Sequence, residues 1–285
     1  MRRTFAQILK DAKIDIKSEY QKLYGLLYDR SIQISNTNRI SVYDELSERF
    51  ISFYFRGTCL TIDEFNDLHD LHFEREPIGF DVDYLVSFCE YIYNMLMAYQ
   101  MALGSFGYGF SPTMSTPINF QFFLMQINQV VEKIGYMQTN EDGVTVFVEK
   151  SPAAIAVAES NLIPENLSYK LISYHHHAMK GDLEKKKAVL QQLAAILEAK
   201  RSDLKKADKM LETDLFYIFN NLNIRHNNID PQLKGYYKAY VAQMPSEELE
   251  KWYDETYQMC LLAFMQLENQ DRKVEFDKLK TEAEK

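Results

Sequence analysis

One short run of this chain gathers the residues that could do chemistry together: Asn220-Asn221-Leu222-Asn223-Ile224-Arg225-His226-Asn227-Asn228. A guanidinium holds phosphate oxygens with a fixed fork of donors. An imidazole takes or gives a proton near neutral pH. Asparagine amides orient both through hydrogen bonds. Arg225 and His226 are therefore the candidate catalytic residues, with Asn221, Asn227 and Asn228 as candidate substrate-orienting residues, for binding or cleaving RNA at a phosphate. The same residues also fit a structural task. Arg225 could bond the last carbonyls of a helix, with Asn227 or Asn228 in a left-handed cap position, so that the run ties two helices together. The residues leave both readings open.

The run closes a long helical stretch that starts after Gly181. Asp182 is a candidate N-cap, and from there into the run there is neither glycine nor proline. Leu190, Leu193, Leu197, Leu204, Leu211, Leu215, Ile218 and Leu222 recur at helical spacings, which predicts one helix, or two meeting near Ser202-Asp203, over 183–224. A second amphipathic helix is expected over 247–270, capped by Ser246, with Leu249, Trp252, Thr256, Met259, Ala263 and Leu267 as its apolar stripe, broadened by Tyr253, Cys260 and Phe264. The two stripes should face each other, burying Trp252 and Met259 with Leu215 and Leu222. Leu167–Lys180 reads as a further helix of this bundle.

Upstream, Thr116-Pro117 looks like a cap followed by a first-turn proline, opening a helix over 118–134. Tyr136–Thr139 and Val144–Val148 flank Asn140-Glu141-Asp142-Gly143 and read as a β-hairpin with an Asp-Gly turn. Ser151-Pro152 opens another helix. In the first third, Thr61-Ile62-Asp63-Glu64 has the form of a capping box, and Val82, Leu85, Cys89, Ile92, Leu96 and Leu103 mark a buried helix that ends in a loop over 104–116. The expected fold is mainly α, a helical bundle with a small central β-hairpin. Its parts are an N-terminal helical domain, 1–116, a helix-hairpin-helix connector, 117–160, and a C-terminal helical bundle, 161–285.

Other candidates carry little. Gly104-Ser105-Phe106-Gly107-Tyr108-Gly109 resembles a phosphate cradle but follows no strand and lacks the Gly-Lys-Ser/Thr of one. His175-His176-His177 cannot converge on one ion from a helix, where neighbours diverge by about 100°. His69 and His72 have a metal-type spacing without a third ligand nearby. No cofactor and no metal is expected. The stretch Lys180–Lys209 holds nine Lys/Arg against five Asp/Glu, a local basic face that could guide RNA toward Arg225.

Composition sets bounds. With 285 residues, 46% of them hydrophobic and 13% aromatic, the chain can bury a sizeable core. A net charge of −9 argues against general or specific DNA binding, which needs cations to displace phosphate counterions. Cys59, Cys89 and Cys260 are widely spaced and read as reduced thiols. The start, Met1-Arg2-Arg3-Thr4, lacks the apolar stretch of a signal peptide, and no run approaches the ~20 apolar residues of a membrane helix. A cytoplasmic protein without a membrane partner is expected.

The piece Ile127-Asn128-Gln129-Val130-Val131-Glu132-Lys133-Ile134-Gly135-Tyr136 and its hairpin resembles the linker of bacterial abortive-infection proteins of the AbiJ type. In those proteins it precedes a C-terminal HEPN-like helical domain, and the layout from about Leu167 to Lys285 is similar. The resemblance implies a component of an anti-phage defence or toxin system that binds or cleaves RNA without metal, usually as a homodimer through the C-terminal bundle. Active members carry an arginine, a polar residue, and a histidine four to six residues after the arginine. Here the polar residue after Arg225 is His226 itself, and Asp230 and Pro231 stand where the histidine should fall. That departure limits the carry-over to Arg225, with His226 as substitute. The competing expectation is a non-catalytic helical interaction protein with a protein partner.

Overall fold

The computed structural model describes residues 14–105, 118–141 and 143–284. The fold is mainly α, with two small two-stranded hairpins among the described residues. The chain divides into two compact units, Met1–Phe147 and Val148–Lys285, so the expected connector is shared between them.

The first unit contains α1 (Ile16–Tyr28), α2 (Val42–Arg49), α3 (Ile62–His69), α4 (Val82–Ser105) and α5 (Phe120–Lys133). A short ladder, β1 (Ile32–Gln33) with β2 (Arg39–Ile40), joins α1 to α2. Its core centres on α4, where Leu85, Phe88, Cys89, Ile92 and Leu96 are fully buried at helical spacing. Thr61 caps α3 as expected, accepting from Glu64 N–H, but the Glu64 carboxylate reaches the N–H of Leu60 instead of closing the box on Thr61. The reciprocal box is made by Ser41 and Asp44 at the start of α2. The start of α5 differs from expectation: Asn119 is its cap, accepting from Phe122 N–H. Thr116 and Pro117 lie outside the described residues. So does the glycine-containing loop beyond Ser105, whereas Gly104 and Ser105 are still part of α4.

The central hairpin pairs β3 (Tyr136–Glu141) with β4 (Val144–Glu149). Gly143 takes φ +87°, and its N–H donates to the Asn140 side chain. Asp142 lies outside the described residues. Within the first unit the Asn94 amide bridges to both the N–H and the C=O of Thr145, at 2.9 and 2.8 Å, which fixes the register of β4 on α4.

The second unit is a helical bundle of α6 (Pro152–Ala158), α7 (Glu165–Ile172), α8 (Leu183–Ala199), α9 (Arg201–Ala207), α10 (Lys209–Asn221), α11 (Ala239–Ala242) and α12 (Ser246–Ala283). Ser151 and Asp182 cap α6 and α8 as read from sequence. The stretch expected as one or two helices is three. Asp208 is extended, and its carboxylate caps Leu211 N–H, so a new helix starts there without any glycine or proline. The eight apolar residues from Leu190 to Leu222 are nonetheless all buried in one cluster. The helix expected over Leu167–Lys180 stops at Ile172 and is followed by two 3-10 turns that carry His175 and His177, with His176 extended between them. Ser246 is the first residue of α12 and no side chain caps that end.

The facing of α12 agrees at Leu249, Thr256, Ala263 and Leu267 and differs at Trp252 and Met259. Its buried face runs through Leu249, Tyr253, Tyr257, Cys260, Phe264 and Leu267. Tyr257 stacks on Tyr174 at 4.0 Å, and its hydroxyl donates to the Leu171 carbonyl at 2.6 Å. Helices α6, α8, α9 and α10 all contact α12, so its buried sector is wider than one facing stripe and centres on these tyrosines. Leu215 and Leu222 are buried as expected, but Trp252 turns to the edge and is 40% exposed, and Met259 is only half-buried. Among the described residues no helix is long and apolar enough to cross a membrane. Cys59, Cys89 and Cys260 are buried free thiols.

Candidate functional site

The Asn220–Asn228 run begins in the last turn of α10. The helix ends at Asn221, and Leu222 N–H still donates to Ile218 C=O. Asn223 then takes the left-handed conformation, φ +57°, a turn that asparagine tolerates better than most residues. The chain folds back, and the backbone N–H of Arg225 donates to the Phe219 carbonyl at 2.9 Å. Thus the left-handed residue is Asn223, not Asn227 or Asn228, and the helix-end carbonyl is bonded by the arginine backbone, leaving its side chain for other work.

Asn228 is fully buried, and its amide is the clamp of the loop. Its Oδ1 accepts from Asn223 N–H at 2.7 Å, and its Nδ2 donates to the carbonyls of Asn220, at 3.1 Å, and Tyr236, at 2.7 Å. Asn223 answers reciprocally, its Oδ1 accepting from Asn228 N–H. Lys238 N–H donates to the Asn228 carbonyl at 2.8 Å, tying in the segment before α11. Buried amides so fully bonded cannot orient a substrate; Asn228 positions backbone instead. Asn221 is also committed, its Nδ2 donating to the Tyr217 carbonyl one turn back. Asn227 is exposed.

Arg225 and His226 are carried outward by this clamp. The Arg225 side chain lies over one face of α8 and pairs with Glu198. On the same face, Gln191 donates to the Ile224 carbonyl at 2.7 Å. Gln191 and Glu198 are seven residues apart, two helical turns, so one stripe of α8 holds both the backbone and the guanidinium of the loop. These residues and Ala194 and Ala195 form an open cleft of about 440 Å³ with Arg225 at its rim. His226 does not line that cleft; its ring stacks on Tyr236 at 4.1 Å and 22°. The two candidate catalytic side chains thus sit on one rigid loop but have separate supports.

Sequence reasoning found the loop and missed its supports. Glu198, Gln191, Asn223 and Tyr236 carry no motif, and only the heptad spacing of Gln191 and Glu198 hints that they share a face.

Part of the basic stretch Lys180–Lys209 is engaged within the bundle. Lys186 is buried between Glu250 and Asp254, at 2.8 and 2.7 Å. Arg201 pairs with the buried Glu212, Lys185 with Asp182 and Lys206 with Asp203. His69 and His72 do not share a helix face, because α3 ends at His69 and Asp70 is left-handed. His69 packs on Phe65, and His72 faces Asp67. No family model, curated protein or solved structure matches this chain.

Proposed function

We propose that this chain is a HEPN-like component of a bacterial anti-phage defence or toxin system, and that the Arg225–His226 loop is where it meets RNA. The observation that carries the reading is the division of labour within one motif. A fully buried Asn228 clamp fixes the backbone while the neighbouring guanidinium lines an open cleft and the imidazole stacks on Tyr236 outside it. A clamp of this kind holds polar side chains in place, as a site requires.

In this reading Arg225 contacts a phosphate and stabilises the charge that grows on it. His226 takes the proton from a ribose 2′-hydroxyl, and the 2′ oxygen attacks phosphorus. The bond to the 5′ oxygen breaks, and that oxygen takes up a proton from His226 of a second copy in a symmetric homodimer. The product ends are a cyclic phosphate and a 5′-hydroxyl. No metal takes part in these steps.

The Arg225–Glu198 ion pair favours a second reading, a non-catalytic interaction protein in which the loop only braces α8 against α10. Incubating total RNA in a chelator with the protein, and with an Arg225→Ala/His226→Ala variant, tests the choice. Cleavage or retention of RNA by the parent alone supports the ribonuclease-type reading. Identical behaviour of the two proteins rejects it in favour of the brace.

A further inference from the structure

The second unit carries an open groove beside the clamped loop that the loop chemistry does not use. It is about 500 Å³ and lies between α10, α12 and α11 with the preceding Lys238. Three aromatic rings stand at it with unusual exposure: Tyr217 at 68%, Tyr240 at 67% and Trp252 at 40%. Asp214 and Lys238 flank them, and neither has a side-chain partner among the described residues. The groove is joined to the loop at two points. Asn221 lines it and bonds the Tyr217 carbonyl, and Lys238 is held by the Asn228 carbonyl.

We propose that this groove receives an unpaired base of the RNA strand whose phosphate Arg225 contacts, an inference that rests on the RNA reading of the loop. Exposed aromatic faces stack on bases of any kind, and unpaired bases are the part of RNA that such faces reach. An aliphatic peptide side chain would fill an apolar groove but make no use of the exposed carboxylate and ammonium at its mouth. A base edge matches both: its amino and ring N–H groups donate to the Asp214 carboxylate, and its ring nitrogens and carbonyl oxygens accept from Lys238. In this proposal the Lys238 ammonium meets the backbone phosphate of the same nucleotide as well. Because the chain is acidic overall, with a net charge of −9, stacking rather than counterion release supplies most of the affinity. With Arg225 and Lys238 as the two phosphate contacts, the log–log salt slope is shallow, about −1.4 at the single-strand value of ~0.7 per contact.

Trp252 is the single tryptophan of the chain, so its fluorescence reports this groove alone. The full-length protein is titrated with a single-stranded oligoribonucleotide and with a duplex of the same sequence. Saturable quenching by the single strand, absent with the duplex, is expected. Tyr217→Ala and Tyr240→Ala should each weaken binding by roughly 5- to 100-fold. Both rings are mostly exposed, so both variants should melt as the parent does. Equal quenching by the duplex overturns the inference, as does unchanged affinity in both variants. So does quenching that follows protein concentration without RNA, which would make the groove a contact between copies. RNA binding that falls with Arg225→Ala but never quenches Trp252 removes the groove and leaves the loop reading standing. Quenching that survives Arg225→Ala and is lost in Tyr217→Ala removes the phosphate role of Arg225 and keeps the groove.

Discussion

Asn228→Ala is the perturbation that the loop geometry specifies most fully. The Asn228 amide satisfies three backbone groups, the N–H of Asn223 and the carbonyls of Asn220 and Tyr236. A buried polar group left without a partner costs about 1–3 kcal/mol. Asn223 is only 3% exposed, so its N–H bears that cost in full. Tyr236 is 49% exposed and Asn220 is half-buried, so water can reach those carbonyls and each falls at the low end. The sum is about 3–5 kcal/mol, a fall in melting temperature of roughly 10 °C or more for a unit of this size. Two companion variants sharpen the test. Asn228→Asp keeps the acceptor for Asn223 N–H but sets a carboxylate against two carbonyls, so it should also destabilise. Asn223→Gly accepts φ +57° without strain but loses the 3.2 Å bond to Asn228 N–H and the side-chain hydrogen bond to the buried Tyr253, so it should cost about 1–3 kcal/mol. Thermal or urea melts followed by Trp252, which lies in the same unit, read all three. An Asn228→Ala variant that melts within a degree of the parent would refute the clamp.

Three further outcomes follow from neighbouring contacts. Lys186→Met leaves Glu250 and Asp254 facing each other without their cation. The expected loss is about 2–4 kcal/mol, below the ~3–5 of a fully buried pair because Asp254 keeps 35% of its side-chain surface, and a parent-like urea midpoint would contradict it. Burial holds the His175 imidazole below its ordinary range, against the pull of Asp254 and Glu149 and with the push of Lys186. The unfolded chain therefore takes up this proton first, and His175 contributes stability that is complete above about pH 6.5 and lost as pH falls through the folded value. His175→Gln should flatten the melting temperature against pH below 6.5, and an unchanged or steeper slope would exclude the assignment. Glu198→Gln frees the Arg225 guanidinium from its carboxylate, so affinity for RNA should rise several-fold if Arg225 meets phosphate. Unchanged or lower affinity, measured by filter retention, counts against that role.

The helices and most caps were legible because their signals are local: Asp182, Ser151 and Thr61 each cap where a polar residue precedes an apolar period. The break at Asp208 was readable in principle as a further N-cap, but the unbroken leucine period across it argued for continuity. The facing of α12 was legible except at Trp252 and Met259. Its apolar residues fill more than one stripe, and the choice among them is made by Tyr174 and Leu171, which are distant in sequence. In the candidate site, the importance of the run was plain while the roles of its asparagines were not. Asn227 and Asn228 are adjacent and chemically identical, yet one is exposed and the other fully buried. The left-handed turn at Asn223 decides which is which, and with five asparagines in the run nothing in the residue types says where that turn falls.

The central claim is that the clamp is structural while Arg225 is functional, and the affinity of Arg225→Ala for single-stranded RNA tests it most directly. The Arg225–Glu198 pair is partly solvent-exposed, 32% and 40%, so its loss should change stability by no more than about 1 kcal/mol. The account predicts RNA binding reduced at least tenfold with a melt that matches the parent. Parent-like binding, or a loss of binding accompanied by a clear fall in melting temperature, would contradict it.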